Sequence, residues 1–285
     1  MSEPLSPVPL VVRLELARAA VQTIAQHSGA RVLHIKGTTW DPSLRAAPAH
    51  GSDVDVIVEP AGIPAVDRAL RAHGWKVYST FRNGSPFEHA QTYWHPDWGY
   101  TDVHRWFPGI RMPAERAFAL LAAGGGTVDA AGVACPVPGA DAQAVLLMLN
   151  AARGSDSERA EANSIWDSAD AGIRRRRDGL VDALDARTGW AAARGTLDDY
   201  RGRADHALWR VTLHGGSRIE EWWARVRAQP TLLGAAGTAL RAPLVNTDRL
   251  AHELGRRPGP ADIVRAFGSR ASRGVREIVG GKGRR

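Results

Sequence analysis

The chain has 285 residues, 44% of them hydrophobic and 24% charged, enough for one large domain or two ordinary ones in a globular protein. Its net charge of +7 and pI near 10.2 point to anionic partners such as nucleotides, nucleic acid or phosphorylated substrates. No apolar run reaches the length of a membrane span and Met1-Ser2-Glu3-Pro4 does not open a signal peptide, while a single cysteine, Cys135, excludes an intramolecular disulfide and a thiolate metal cage; a cytoplasmic protein is expected.

Val12, Leu16, Ala19, Ala20 and Ile24 recur at helical spacing and predict a helix over 9–28, ending at Ser28-Gly29. Residues 31–36 alternate and predict a strand, with a turn at Gly37-Thr38-Thr39. A second strand is expected at 53–58, broken by Pro60-Ala61-Gly62. A helix over 63–73 follows, with Ile63, Val66 and Leu70 on one face and Gly74 closing it. Three more strands are expected at 75–82, 87–94 and 100–107. Asn83-Gly84 is a hairpin signal, and 95–99 a wider turn. Beyond Pro113 the pattern predicts a helix over 114–123, a small hairpin over 127–138, and then helices at 141–152, 157–171, 176–187, 190–203, 205–213 and 217–228. The fold class is α+β: a small mixed or antiparallel sheet with flanking helices, followed by a helical C-terminal part. A catalytic unit is expected over 1–139, a helical domain over 140–255, and a basic, flexible tail over 256–285 with only Asp262 and Glu277 as acids.

Chemistry concentrates in Gly51-Ser52-Asp53-Val54-Asp55-Val56-Ile57-Val58. On a strand, Asp53 and Asp55 leave one face with Cα atoms about 6.5–7 Å apart, while the valines leave the other toward a core. Two carboxylates that close raise each other's pKa unless a cation sits between them, and hard oxygen donors suit Mg²⁺. Tyr100-Thr101-Asp102-Val103-His104 puts Asp102 and His104 on one face of another strand. If that strand neighbours the first, three carboxylates can hold two metal ions about 3.5–4 Å apart, the clamp for in-line displacement at phosphate.

Leu33-His34-Ile35-Lys36-Gly37, Gly51 to Val58 and Asp102-Val103-His104-Arg105-Trp106 together resemble the nucleotidyltransferase superfamily of DNA polymerase beta type. More closely, they resemble its uncharacterised bacterial branch, over about residues 10–170. The resemblance implies a Mg²⁺-dependent enzyme, with Mn²⁺ as a substitute ion, that moves a nucleoside monophosphate from an NTP such as ATP to an acceptor hydroxyl and releases pyrophosphate. Carried over, Asp53, Asp55 and Asp102 are the catalytic and metal-binding set. Lys36, Gly37, Thr38 and Ser52 meet the nucleotide, with His104 and Arg45 behind them. The chain departs from the pattern by placing Arg105 between His104 and Trp106, and Gly37-Thr38 where the superfamily commonly has Gly-Ser or Gly-Gly. Lys36 alone reads equally as a phosphate contact or as the ion-pair partner of an aspartate.

Other features read more simply. Tyr93, Trp94 and Trp98 between His89 and His95 suit a core more than a base-stacking platform. Asp167, Asp170 and Arg174 to Arg177 suit a solvated helix, and Trp222-Trp223 a packed one. The acceptor stays open among a small molecule, a protein and RNA. Two rivals stand beside the first reading: a toxin-type transferase acting on tRNA through the basic tail, and a non-catalytic nucleotide- or nucleic-acid-binding module.

Overall fold

The computed structural model describes residues 8–44, 51–229, 231–241 and 247–269. Helix α1 (Leu10–His27) buries Leu14, Ala17, Val21, Ile24 and Ala25, and the chain leaves it through Gly29 at φ +73°. Strands β1 (Val32–Ile35) and β2 (Asp53–Val58) follow, then α2 (Ile63–Ala72), which buries Val66 and Leu70. Next come β3 (Lys76–Ser79), a short helix α3 (Phe81–Gly84), β4 (Ala90–His95) and β5 (Gly99–His104). The five strands form one mixed sheet in the order β1-β2-β5-β4-β3. Only the central pair, β2 and β5, is parallel. From β2 the chain passes through α2 to the far edge at β3, returns through β4, and enters the vacant place beside β2 as β5.

Period-two alternation on β2 feeds two different cores. Val54, Val56 and Val58 pack with Leu14, Val21, Val66 and Leu70 beneath α1 and α2. Ile57 shares the face of Asp53 and Asp55, and packs with Leu33, Ile35 and Phe107 against the helices that follow. Those are α4 (Ala114–Ala122), then, after a hairpin of β6 (Gly126–Ala130) and β7 (Val133–Val137), α5 (Ala140–Ala151), α6 (Asp156–Ser168), α7 (Ala171–Ala183), α8 (Arg187–Arg194) and α9 (His206–His214). Helix α5 is buried almost all round, so its apolar residues lie at the centre of this second core. Helices α10 (Arg218–Ala228), α11 (Leu232–Arg241), α12 (Thr247–Leu254) and a further helical stretch at 260–269 complete the described chain. Among the described residues, no helix is long and apolar enough to cross a membrane.

Most expected elements form, and the departures have local causes. Asn83-Gly84 does not make a tight hairpin: the residues close α3, which fills the link between β3 and β4. The helix expected at 176–187 begins at Ala171, because Asp170 accepts a hydrogen bond from the Ile173 amide and caps the helix there. The helix expected at 190–203 starts at Arg187, ends at Arg194 and gives way at Gly195, φ +76°, to a 3-10 turn over Leu197–Tyr200. The expected tail is helical over 260–269, and residues 270–285 lie outside the described residues. Tyr93 is core, as expected, buried under α2 with its hydroxyl donating to Asp67 at 2.5 Å. Arg177 turns inward and pairs with Asp141 of α5, a partner that the run of arginines did not announce.

Leu146 on α5 is fully buried in the larger core. Leu146→Ala is expected to lower the unfolding free energy by about 2–5 kcal/mol in urea melts, with the slope unchanged.

Candidate active site

Antiparallel pairing places Ile35 opposite Asp55, and parallel pairing places Asp102 opposite Asp55 on the other side. Thr92 of β4 lies opposite Asp102 and hydrogen-bonds its carboxyl. One row across the sheet therefore runs Ile35, Asp55, Asp102, Thr92, with Asp53 and His104 two residues before and after on the same face. Strand pairing thus brings Asp55 and Asp102 together, with Asp53 two residues away on the same face and opposite Tyr100. Ligand atoms of Asp55, Asp102 and His104 lie within 4.8 Å of one another. Asp53 stands at the mouth, half-buried, beside the exposed Ser52, whose hydroxyl is 3.4 Å from its Oδ1.

Lys36 does not share the His34 side of the sheet, as uninterrupted alternation would have it. It leaves β1 at φ +62°, and this turns its side chain to Asp55, with Nζ donating to Oδ1 at 2.5 Å. His34 points the other way and hydrogen-bonds Gln22 of α1 at 3.0 Å. His104 Nε2 donates to the same Asp55 oxygen at 2.7 Å. The acceptor is a carboxylate, so the proton is assigned to Nε2.

Burial works against a charge on Asp55, yet Lys36 and the His104 hydrogen bond outweigh it and hold its pKa well below the usual carboxylate range. At Asp102 the balance is reversed: burial, then the charge of Asp55, outweigh the Thr92 hydrogen bond and the more distant Lys36 charge and push it up to about 7. Its Oδ1 is buried with no hydrogen-bond partner. Asp53 is raised for the same two reasons. Burial and the Lys36 charge lower His104 to about 4, so it is neutral at pH 7. Three acids thus face one contacting ammonium, and this hard-oxygen set, with an orphaned buried oxygen in it, fits a divalent cation.

Gly37, φ +54°, and Thr38 lie in a 3-10 turn after Lys36. A Cβ on Gly51 would sit 3.6 Å from the Gly37 Cα, so two bare stretches of backbone meet at the mouth of the site. Thr38 is exposed, and its hydroxyl oxygen accepts from Arg18 Nη1 at 2.7 Å. Arg45 lies outside the described residues.

Four contributors were not foreseen. Arg18 is 5% exposed; the sequence signal was its place on the apolar stripe Leu14, Val21, Ala25 of α1. Phe107 lies under Lys36, 5.9 Å from Nζ to the ring centroid, and stacks on His104. His89 packs its ring 4.9 Å from that of His104. Arg153, just after α5, holds its guanidinium 5.9 Å from the centroid of the Phe107 ring and feels the charges of Asp55 and Asp102. Nothing local in the sequence marks Arg153 or His89 as neighbours of the strand carboxylates.

No family model matches the chain, and no curated protein matches it. A solved structure with some likeness is that of an antigenic nucleotidyltransferase-like protein from Paracoccidioides brasiliensis, 14% identical, covering 63% of this chain and 93% of that one at a TM-score of 0.37. Overlap that loose assigns no activity.

Asp102, raised to about 7, binds a proton more tightly folded than unfolded, where its pKa is about 3.9. As pH climbs from about 4 to about 7 the unfolded chain has released this proton and the folded one has not, so stability from this group declines and then levels off. Urea melts of the wild type and Asp102→Asn, without divalent cation, should give a stability difference that falls with pH across that window. A difference independent of pH refutes the assignment.

Proposed function

We propose that this chain is a divalent-cation-dependent nucleotidyltransferase that moves a nucleoside monophosphate from an NTP to an acceptor hydroxyl with release of pyrophosphate. The observation that carries the reading is the register of β2 and β5. It sets Asp102 directly opposite Asp55, with an unpartnered buried oxygen and a pKa raised to about 7.

Asp53, Asp55 and Asp102 would hold Mg²⁺, two ions in the in-line scheme. The metal supplies Lewis acidity, offsetting the charge of the triphosphate and of the leaving pyrophosphate. The Asp102 carboxylate, directly opposite Asp55, would take the proton of the acceptor hydroxyl. His104, neutral and donating, keeps the Asp55 carboxylate oriented. Lys36 and Arg153 add positive charge on the phosphate side of the site. Because Arg18 donates to the Thr38 oxygen, the Thr38 hydroxyl proton is free to turn outward to a phosphate, beside the Gly37 amide and Ser52. Retention of every acid in the set favours catalysis over a non-catalytic module on the same scaffold.

Incubation of the full chain with Mg²⁺ and each α-labelled NTP should release pyrophosphate and transfer label. Asp53→Asn and Asp102→Asn should each lower that rate by about 10²–10³-fold. Full activity in Asp53→Asn, measured with the same nucleotide, would remove the reading.

A further inference from the structure

The positive charge of the chain is confined to one part of it. Residues 1–217 hold 23 Lys and Arg against 24 Asp and Glu, while residues 218–285 hold 14 against 6, so the whole excess of +7 lies in α10 and beyond. That same part carries the highest exposures of large apolar side chains among the described residues. Leu232, Leu233 and Leu240 of α11 are 91%, 85% and 77% exposed, and Trp223 of α10 is 65% exposed. Ile263, Val264 and Phe267, at helical spacing on the stretch over 260–269, are exposed as well. A single leucine on a surface is ordinary, but a run of this kind marks a contact surface.

Contacts on the other face of α11 keep these leucines turned outward. Thr238 is fully buried, and Arg241 donates to Thr238 at 3.0 Å and to Glu88 at 3.3 Å. With that face held against the protein, Leu232, Leu233, Ala236, Ala239 and Leu240 are left to solvent. No residue from Thr231 to Leu240 is charged. Arg227, Arg257 and Arg265, on the segments before and after, are exposed. An apolar helix face within a cationic stretch of chain is the pattern of a helix that lies in a bilayer interface, its apolar side chains among the acyl chains and the cations at the phosphates. At ten residues α11 is about 15 Å long, half the thickness of a bilayer core, so it suits lying along the surface and not crossing it.

Charge and polarity choose the occupant. A second copy of the chain would bring two regions of strong positive excess together, which like-charge repulsion opposes. RNA would satisfy the arginines but leave the leucines in water, because nucleic-acid interfaces are polar. An anionic lipid surface satisfies both. The sequence over 270–285 adds six more cations against Glu277 alone. We propose that this C-terminal part docks the protein on the surface of a bilayer that contains anionic lipid, with the exposed face of α11 set into the interface. The site stands apart from the nucleotidyl-transfer reading, since it uses none of the same residues.

The test is co-sedimentation of the full chain, without nucleotide or divalent cation, with vesicles of phosphatidylcholine alone and of phosphatidylcholine mixed with phosphatidylglycerol. The mixed vesicles should carry the protein down, the neutral ones should not, and rising salt should release it. Leu232→Ser and Leu233→Ser together, at positions too exposed to matter for folding, should weaken partitioning by about tenfold or more. Val11→Ser, at an exposed apolar site of α1, and Asp53→Asn should leave it unchanged. Failure to bind the mixed vesicles overturns the proposal, as does equal binding to neutral ones. Unchanged partitioning of the leucine variant, or an equal loss in Val11→Ser, overturns it too. Binding of an RNA oligonucleotide, or self-association abolished in the leucine variant, in place of vesicle binding would give the surface to that partner and overturn it as well.

Discussion

A buried, ionised Asp55 is the constraint on which the rest of this site depends. A carboxylate with 7% exposure cannot stay charged without partners, and the chain supplies two at one oxygen: the Lys36 ammonium and the His104 N–H. Both partners are placed by backbone rather than by long flexible reach. Lys36 arrives because the backbone at the end of β1 adopts a left-handed conformation that a lysine rarely takes, costing about 1 kcal/mol or more. His104 arrives because β5 lies parallel to β2 and in register with it. Removing Lys36 would leave the buried charge with a single neutral hydrogen bond, a larger penalty than the backbone strain.

That arrangement separates two acids that sit side by side. Asp55 takes the available positive charge and becomes a fixed anion. Asp102, its register partner, then experiences burial plus a neighbouring negative charge, and its proton is held until near neutrality. Environments that drive adjacent acids apart are the usual way for one site to hold both a permanent charge and a proton acceptor. Neutral His104 belongs to the same logic. A second imidazole, His89, packs against it, also buried and with its pKa lowered by burial, so the floor beneath the acids adds no competing charge at neutral pH.

What the sequence disclosed follows from the range over which each signal acts. Alternation on β2 and the pairs Asp53/Asp55 and Asp102/His104 are properties of single strands, so the face they share was legible. That β5 would lie beside β2 was only conditional, because strand order is a long-range outcome. The positive φ at Lys36 was hidden by an alternation that ran smoothly through it. Helix starts slipped where a cap outranked the apolar period, as at Asp170. Arg153, His89 and the Glu88 cluster were invisible, since they meet the site through tertiary packing across more than 45 residues of chain or through side chains of unremarkable local context.

Those hidden contacts define what the helices do for the sheet. Glu88 immediately precedes His89 and adopts φ +51°, and it is gripped by Arg225 of α10 at 3.2 Å and Arg241 of α11 at 3.3 Å. Arg105, one residue after His104, completes that grip at 3.8 Å from Glu88 and lays its guanidinium over Trp106. The residues flanking the packed His89–His104 pair are thus tied to α10 and α11 by ion pairs that are largely shielded from water, where such pairs resist loosening by salt. Arg153, just after α5, lies 5.9 Å from the centroid of the Phe107 ring and feels the charges of Asp55 and Asp102. The helical part therefore bears on the same few side chains that orient Asp55, and the geometry of the carboxylate row is a property of the whole described chain rather than of its sheet alone.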